Sequence, residues 1–190
     1  WLQVATGMLG DEVIRSINNS VAVTSTSLFS IALLTSTTQT MSEDELTDRI
    51  NFFLSLIRDS SDYGNVWITQ TDIKDIISKT EKLGFISPTL ILSKKVYRPS
   101  SDEVATLSFY KNNISHLFIL FSLLCESLKF IKKAPKAEII RLIEMIYPIF
   151  AKDFHLKTET ISQSAIENTI NTLIEKGIVN EEQETYIKAP

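Results

Sequence analysis

A chain of 190 residues, 44% hydrophobic and 22% charged, has the composition of one ordinary folded domain or two small ones. Its net charge of -4 and sequence pI near 5.3 argue against a nucleic-acid binder, which needs a cationic footprint. The single cysteine, Cys125, leaves no disulfide within the chain and reads as a small core residue in a reducing compartment, while the mean hydropathy of +0.07 points to apolar surface kept for a partner or for the rest of a longer chain.

The chain opens at Trp1, already in helical register and with neither a Met nor a leader, and is expected to be a piece of something larger. Leu2 to Asn18 carries Val4, Met8, Val13, Ile14 and Ile17 at helical spacing, interrupted by Gly7 and Gly10. Ser25 or Thr26 should cap a short apolar helix from Leu28 to Leu34, and Ser36 to Thr40 reads as a loop. Ser42 with Glu45 forms a capping box that starts a helix through Leu46, Ile50, Phe53, Leu54 and Ile57, ending near Arg58. Gly64 breaks the chain before a short strand at Val66-Trp67-Ile68.

Two stretches then resemble each other. Ile73, Ile76 and Ile77 lead to Gly84-Phe85-Ile86 and a strand from Leu90 to Arg98; Ile166, Ile170 and Leu173 lead to Gly177-Ile178-Val179 and a short strand at Tyr186-Ile187. Ile73 precedes Gly84 by the same interval as Ile166 precedes Gly177. Each reads as helix, glycine C-cap, strand, turn, strand, the second half of a winged-helix unit. Between them, Asp102 and Glu103 open a long helix expected from Val104 to Ile131 unless Asn112-Asn113 kinks it, with Lys129, Lys132 and Lys133 at its dipole-favoured end. Pro135 opens another helix carrying Ile139, Ile140, Leu142, Ile143 and Ile146, which Pro148 should kink or end. No run reaches the roughly 20 apolar residues a membrane span needs; the best, Leu117 to Leu124, lies between His116 and Glu126 and is too short. The fold class is therefore mainly α, a helical bundle with short β-hairpins and winged-helix-like units.

One stretch carries unusual chemistry. On a helix running through Leu107 to Phe118, Phe109, Asn113 and His116 share a side, with Asn112 and Ser115 beside them. Amides and an imidazole on a buried face cost free energy unless each finds a partner. Tyr110, Asn112, Asn113 and His116 are thus expected to form a polar knot in the helical core, or to line a site. Lys129, Lys132 and Lys133, beside Phe130 and Ile131, are candidates for contact with a membrane surface or partner. Catalytic groups are wanting: His116 and His155 are too far apart for a local metal motif, and the positions five beyond them are Phe121 and Thr160, not Asp. No glycine-rich phosphate loop or Gly-x-Ser-x-Gly is present, so neither metal nor cofactor is expected.

The run Tyr110-Lys111-Asn112-Asn113-Ile114-Ser115-His116-Leu117-Phe118 resembles the Tyr-Tyr-Arg-Asn-Asn-x-x-His-x motif of bacterial membrane-associated glycerol-3-phosphate acyltransferases, downstream of their catalytic domain. Val13 to Asn18, Val23 to Ser36 with Ala32-Leu33-Leu34, and Leu142 to Phe154 with Ile146-Tyr147-Pro148 are similar to further blocks of that family, in order. Phe109 stands in place of the motif's first Tyr and Lys111 in place of its Arg, which keeps the charge but loses the planar fork. The family's catalytic His-x-x-x-x-Asp is missing, so the resemblance transfers no catalytic residue.

It implies that residues 1–190 are a helical C-terminal accessory region, with sub-units at 1–98 and 99–190, packing on the catalytic domain of the same protein. Tyr110, Lys111, Asn112, Asn113 and His116 are then structural or domain-contact residues. The parent, by resemblance, transfers a fatty acyl group from acyl-CoA or acyl-carrier protein to the 1-hydroxyl of glycerol 3-phosphate. It would do so in phospholipid synthesis, peripherally at the cytoplasmic face of the bacterial inner membrane. The other reading is a non-enzymatic winged-helix-like protein-interaction module.

Overall fold

The computed structural model describes residues 1–59, 65–131, 133–182 and 185–188. It is mainly helical, with three small sheets. The contacts divide it into two compact units. One holds residues 20–58 and 65–115; the other groups Trp1–Asn19 with the chain from His116 onward. The break expected at 98/99 thus lies at 115/116. The cause is α5 (Ser101–Ser115), whose main partner is α2 (Ser25–Leu34) in the first unit.

In that unit α2 is buried from Ser25 to Leu33, as a helix apolar on every side must be. Its cap is Thr24, not Ser25 or Thr26. Thr24 Oγ1 accepts the Ser27 N–H at 3.2 Å and Ser27 Oγ accepts the Thr24 N–H at 2.9 Å, a capping box that begins the helix three residues before Leu28. The expected Ser42/Glu45 box is present at the start of α3 (Glu43–Asp59). Strands β1 (Ala22–Val23) and β3 (Trp67–Ile68) pair in parallel. β2 (Met41–Ser42) precedes α3. α4 (Ile73–Lys82), capped by Asp72, ends at Gly84 with φ +72° and leads into the hairpin β4 (Thr89–Ile91) and β5 (Lys94–Tyr97). The sheet order is β2-β5-β4, so the first strand lies beside the last.

The second unit repeats this connectivity. α6 (Ile119–Ile131) is followed by β6 (Lys133–Pro135), α7 (Lys136–Asp153), α8 (Gln163–Glu175) and the hairpin β7 (Val179–Glu182) with β8 (Thr185–Lys188). Ser162 caps α8 and Gly177, at φ +68°, ends it; the sheet order is β6-β8-β7. Helix, strand, two helices and a wing, with the first strand against the third, is the winged-helix connectivity, present here twice. The third strand of each unit buries a tyrosine, Tyr97 and Tyr186.

Pro148 neither ends α7 nor splits it. The proline lacks an N–H for the Glu144 carbonyl, and Glu144 is exposed, so water can serve that carbonyl. Ser101 to Ile131 is one long helical run, interrupted by a 3₁₀ turn at His116–Phe118 and not at Asn112-Asn113. By length and composition it could cross a bilayer, which Leu117 to Leu124 alone could not. Half of its most apolar window is buried inside the protein, as in a core helix.

Candidate functional site

The α5 segment is fixed at its start by a capping box that the acids alone did not reveal. Glu103 Oε2 accepts the Ser100 N–H at 2.7 Å, and Ser100 Oγ accepts the Glu103 N–H at 3.4 Å. This satisfies backbone donors at the first turn of α5. Tyr110 is half-buried, with its ring centroid 5.0 Å from Phe85, the residue after the α4 cap glycine, and 5.5 Å edge-on from Phe109. Phe109 itself is 65% exposed. Lys111 is half-buried, and its carbonyl accepts the Ser115 hydroxyl at 2.9 Å.

Asn112 and Asn113 are exposed. The expected polar knot of Tyr110, Asn112, Asn113 and His116 is therefore not formed, because the two amides face outward while the imidazole is buried. His116 opens the 3₁₀ turn and is buried, whereas Asn112 and Asn113 lie on the exposed side of α5. Tyr110, Lys111, Asn112 and Asn113 belong to the first unit, His116 to the second.

His116 is 9% exposed. Its Nε2 lies 3.1 Å from the carbonyl oxygen of Asn18, at the end of α1 (Leu2–Asn18), and donates its proton there. Burial holds this imidazole below its ordinary pKa, against the opposing pull of the carbonyl. Asn18 Nδ2 in turn donates to the Phe154 carbonyl at 2.9 Å. Arg15 meets Glu159 at 2.7 Å, and Asp11 lies 3.6 Å from His155. Asp11, Arg15 and Asn18 fall on one side of α1, and Leu2, Leu9, Val13 and Ile17 on the opposite side. The helix is thus attached by a polar edge, while its apolar side chains are exposed and none of its residues is buried. His116 is an anchor for α1.

The lysine candidates separate likewise. Lys129 Nζ lies 3.3 Å from Glu126 Oε1, an exposed pair worth little by itself. Lys133 is exposed at the start of β6, and Lys132 lies outside the described residues. Phe130 and Ile131 are exposed. No cluster of His, Cys, Asp and Glu among the described residues could hold a metal ion.

Three arrangements escaped the sequence reading. A cleft of about 400 Å³ lies in the first unit between the Ser36–Thr40 loop and α3, lined by Ser36, Thr38, Thr40, Met41, Glu45, Asp48, Arg49 and Phe52. The Ser42 backbone and hydroxyl hold Glu45 there below the usual carboxylate range. Each wing also ties its buried tyrosine to a charged pair. Tyr97 donates to Glu81 Oε1 at 2.5 Å and Lys95 donates to the same oxygen at 3.0 Å. In the second unit Lys136 lies 3.6 Å from Glu167, and Tyr186 together with Glu167 raises its pKa. The third arrangement is the attachment of α1 itself, whose partners are more than a hundred residues distant in sequence. Only those distant residues could have disclosed it.

The whole chain, residues 1–190, matches the family model described as glycerol-3-phosphate acyltransferase C-terminal region. It is similar to a glycerol-3-phosphate acyltransferase of Alteromonas mediterranea, 28% identical over 188 residues, which covers 98% of this chain and 23% of that relative. A glycerol-3-phosphate acyltransferase of Pseudomonas paraeruginosa is 20% identical over 189 residues, 99% of this chain and 23% of the relative. One from Shewanella putrefaciens is 23% identical over 181 residues, 95% of this chain and 22% of the relative. The chain thus spans less than a quarter of the length of these curated relatives.

Proposed function

Because the chain belongs to the family of glycerol-3-phosphate acyltransferase C-terminal regions, we propose that it is the non-catalytic accessory region of such an enzyme. The parent transfers a fatty acyl group from acyl-CoA or acyl-carrier protein to the 1-hydroxyl of glycerol 3-phosphate. It works peripherally on the cytoplasmic face of a bacterial inner membrane. This region packs on the catalytic portion of the same polypeptide.

The observation that carries the non-catalytic role is the state of the histidines. Neither is followed by an Asp at the catalytic spacing, and His116 spends its Nε2 proton on the Asn18 carbonyl. The observation that carries the packing role is α1, held to its own unit through Arg15 and Asn18 while its apolar side chains, Leu2, Leu9, Val13 and Ile17 among them, are exposed. Exposed Tyr110-to-Asn113 neighbours, Phe109 and the Asn112-Asn113 amides, offer a second contact surface on the first unit.

An acyl-transfer assay of the 190-residue chain with glycerol 3-phosphate and a long-chain acyl-CoA should give no turnover above a buffer blank; clear turnover would refute the non-catalytic role. Leu9→Glu with Val13→Glu should leave the chain folded, since both side chains are exposed, and abolish its association with a separately expressed catalytic portion. Unchanged association would remove α1 from the interface.

A further inference from the structure

The two wings of this chain have the same connectivity and opposite chemistry. In the first, Leu90, Ile91 and Leu92 are 71%, 53% and 95% exposed, and no carboxylate occurs from Phe85 to Ser101. In the second, the corresponding strand ends in Asn180, Glu181 and Glu182, all exposed. The second wing is an internal control. Its described strand end, Asn180 to Glu182, is polar, so apolar residues at that end of the strand are no requirement of the fold.

The turn sharpens the point. Ile91 pairs with Lys94, which leaves Leu92 and Ser93 as a two-residue loop, at φ +49° and +65°. Positive φ at both positions is the type I′ geometry, which favours Asn-Gly and penalises a bulky side chain. Leu92 is thus unfavourable both to water and to its own backbone, and a contact outside this chain accounts for it.

The cations say what kind. The strand register puts Ile91 opposite Lys94, with Arg98 two alternations further on the same face. Lys94 and Arg98 are exposed, whereas Lys95, on the other face, is held by Glu81 and Glu43. Aliphatic side chains at a tip with cations just behind them match the layers of an anionic lipid surface, acyl chains beneath phosphates. We propose that the β4–β5 wing is a lipid-contact hairpin, inserting Leu90, Ile91 and Leu92 into the interface of an anionic bilayer while Lys94 and Arg98 meet its phosphates. This rests on the reading that the parent enzyme works at a membrane surface, and names the part of this region that touches it.

The test uses the 190-residue chain carrying Cys125→Ser and one new cysteine, Leu92→Cys or Glu182→Cys, labelled with an environment-sensitive dye. Phosphatidylcholine vesicles with and without phosphatidylglycerol are added. The label at 92 should shift to the blue on anionic vesicles only, lose the shift at high salt, and stay silent at 182. Leu90→Ser with Leu92→Asn, which moves the tip toward the chemistry of the second wing, should keep the fold and lower vesicle partitioning by about tenfold or more. Flotation of the same samples reports whether the chain binds vesicles at all. If it floats and the label at 92 is silent, this surface is wrong and the peripheral reading stands. If it does not float, both fall. If the label at 92 responds to the catalytic portion without lipid, the hairpin docks on protein and the proposal is overturned.

Discussion

His116 offers the sharpest test of the architecture, because its charge state is coupled to the seating of α1. The imidazole is 9% exposed and donates from Nε2 to the Asn18 carbonyl at 3.1 Å. Burial depresses its folded pKa below the ordinary value of about 6.5. As pH falls through about 6.5, the unfolded chain takes up a proton that the folded chain still refuses. Stability from this group is therefore flat above that point and declines as pH drops toward the folded pKa, by at most about 1.4 kcal/mol per pH unit. His116→Gln removes the titration and keeps a donor for Asn18. Urea melts of both proteins between about pH 7.5 and about pH 5.5 bracket the ordinary histidine value. The parent should lose more stability than the variant over that interval. At neutral pH, His116→Ala should cost about 1–3 kcal/mol by stranding the carbonyl, and exposed Asn113→Ala less than about 0.5 kcal/mol. Parallel pH curves for the parent and His116→Gln would refute the reasoning.

Gly84→Ala and Gly177→Ala should each cost about 1–2 kcal/mol in thermal melts; no atom lies within 4 Å of the added Cβ, so the positive φ alone sets the penalty. Ser30→Ala should raise stability by about 1 kcal/mol, since the Ser30 hydroxyl is buried without a partner. Tyr97→Phe should cost about 1.5–3 kcal/mol by removing the hydrogen bond to the Glu81 carboxylate. Burial pushes Glu81 up, but Tyr97 and Lys95 together hold it below its usual range. Its contribution is thus present above the unfolded value and lost as pH falls through the folded one. Acid-induced unfolding of Tyr97→Phe should accordingly be less steep than that of the parent.

What the sequence disclosed and what it concealed follow from the range of the interactions. The Ser42/Glu45 box and the cap glycines Gly84 and Gly177 were legible because each depends on residues within one helical turn. The half-repeat they outline pointed to the winged units. The completing strands were not legible. Met41-Ser42 and Lys133-Ala134-Pro135 are too short for alternation and gain their identity only from β5 and β8, far along the chain. Thr24 was hidden in a Thr-Ser-Thr-Ser run where several residues could cap. The motif failed as a buried knot for a different reason. Spacing three apart says that Asn113 and His116 lie near each other on a helix, but not which of them the rest of the fold covers: His116 is buried and Asn113 is exposed. The wing chemistry, in contrast, was written in plain residues, but its meaning required two hairpins of the same strand order to compare.

The attachment of α1 also bears on the order of events on the ribosome. Its polar partners, Phe154 and Glu159, lie 136 and 144 residues after Asn18 and Arg15. At about 5–20 residues per second, α1 waits roughly 7–30 s after its own synthesis before that seat exists. The unit from Ser20 to Ser115 is complete well before then. During the interval Leu2, Leu9, Val13 and Ile17 are exposed to whatever is nearby in the nascent chain. If the catalytic portion is made first and takes up that apolar side, the late-arriving partners close onto a helix already held in place.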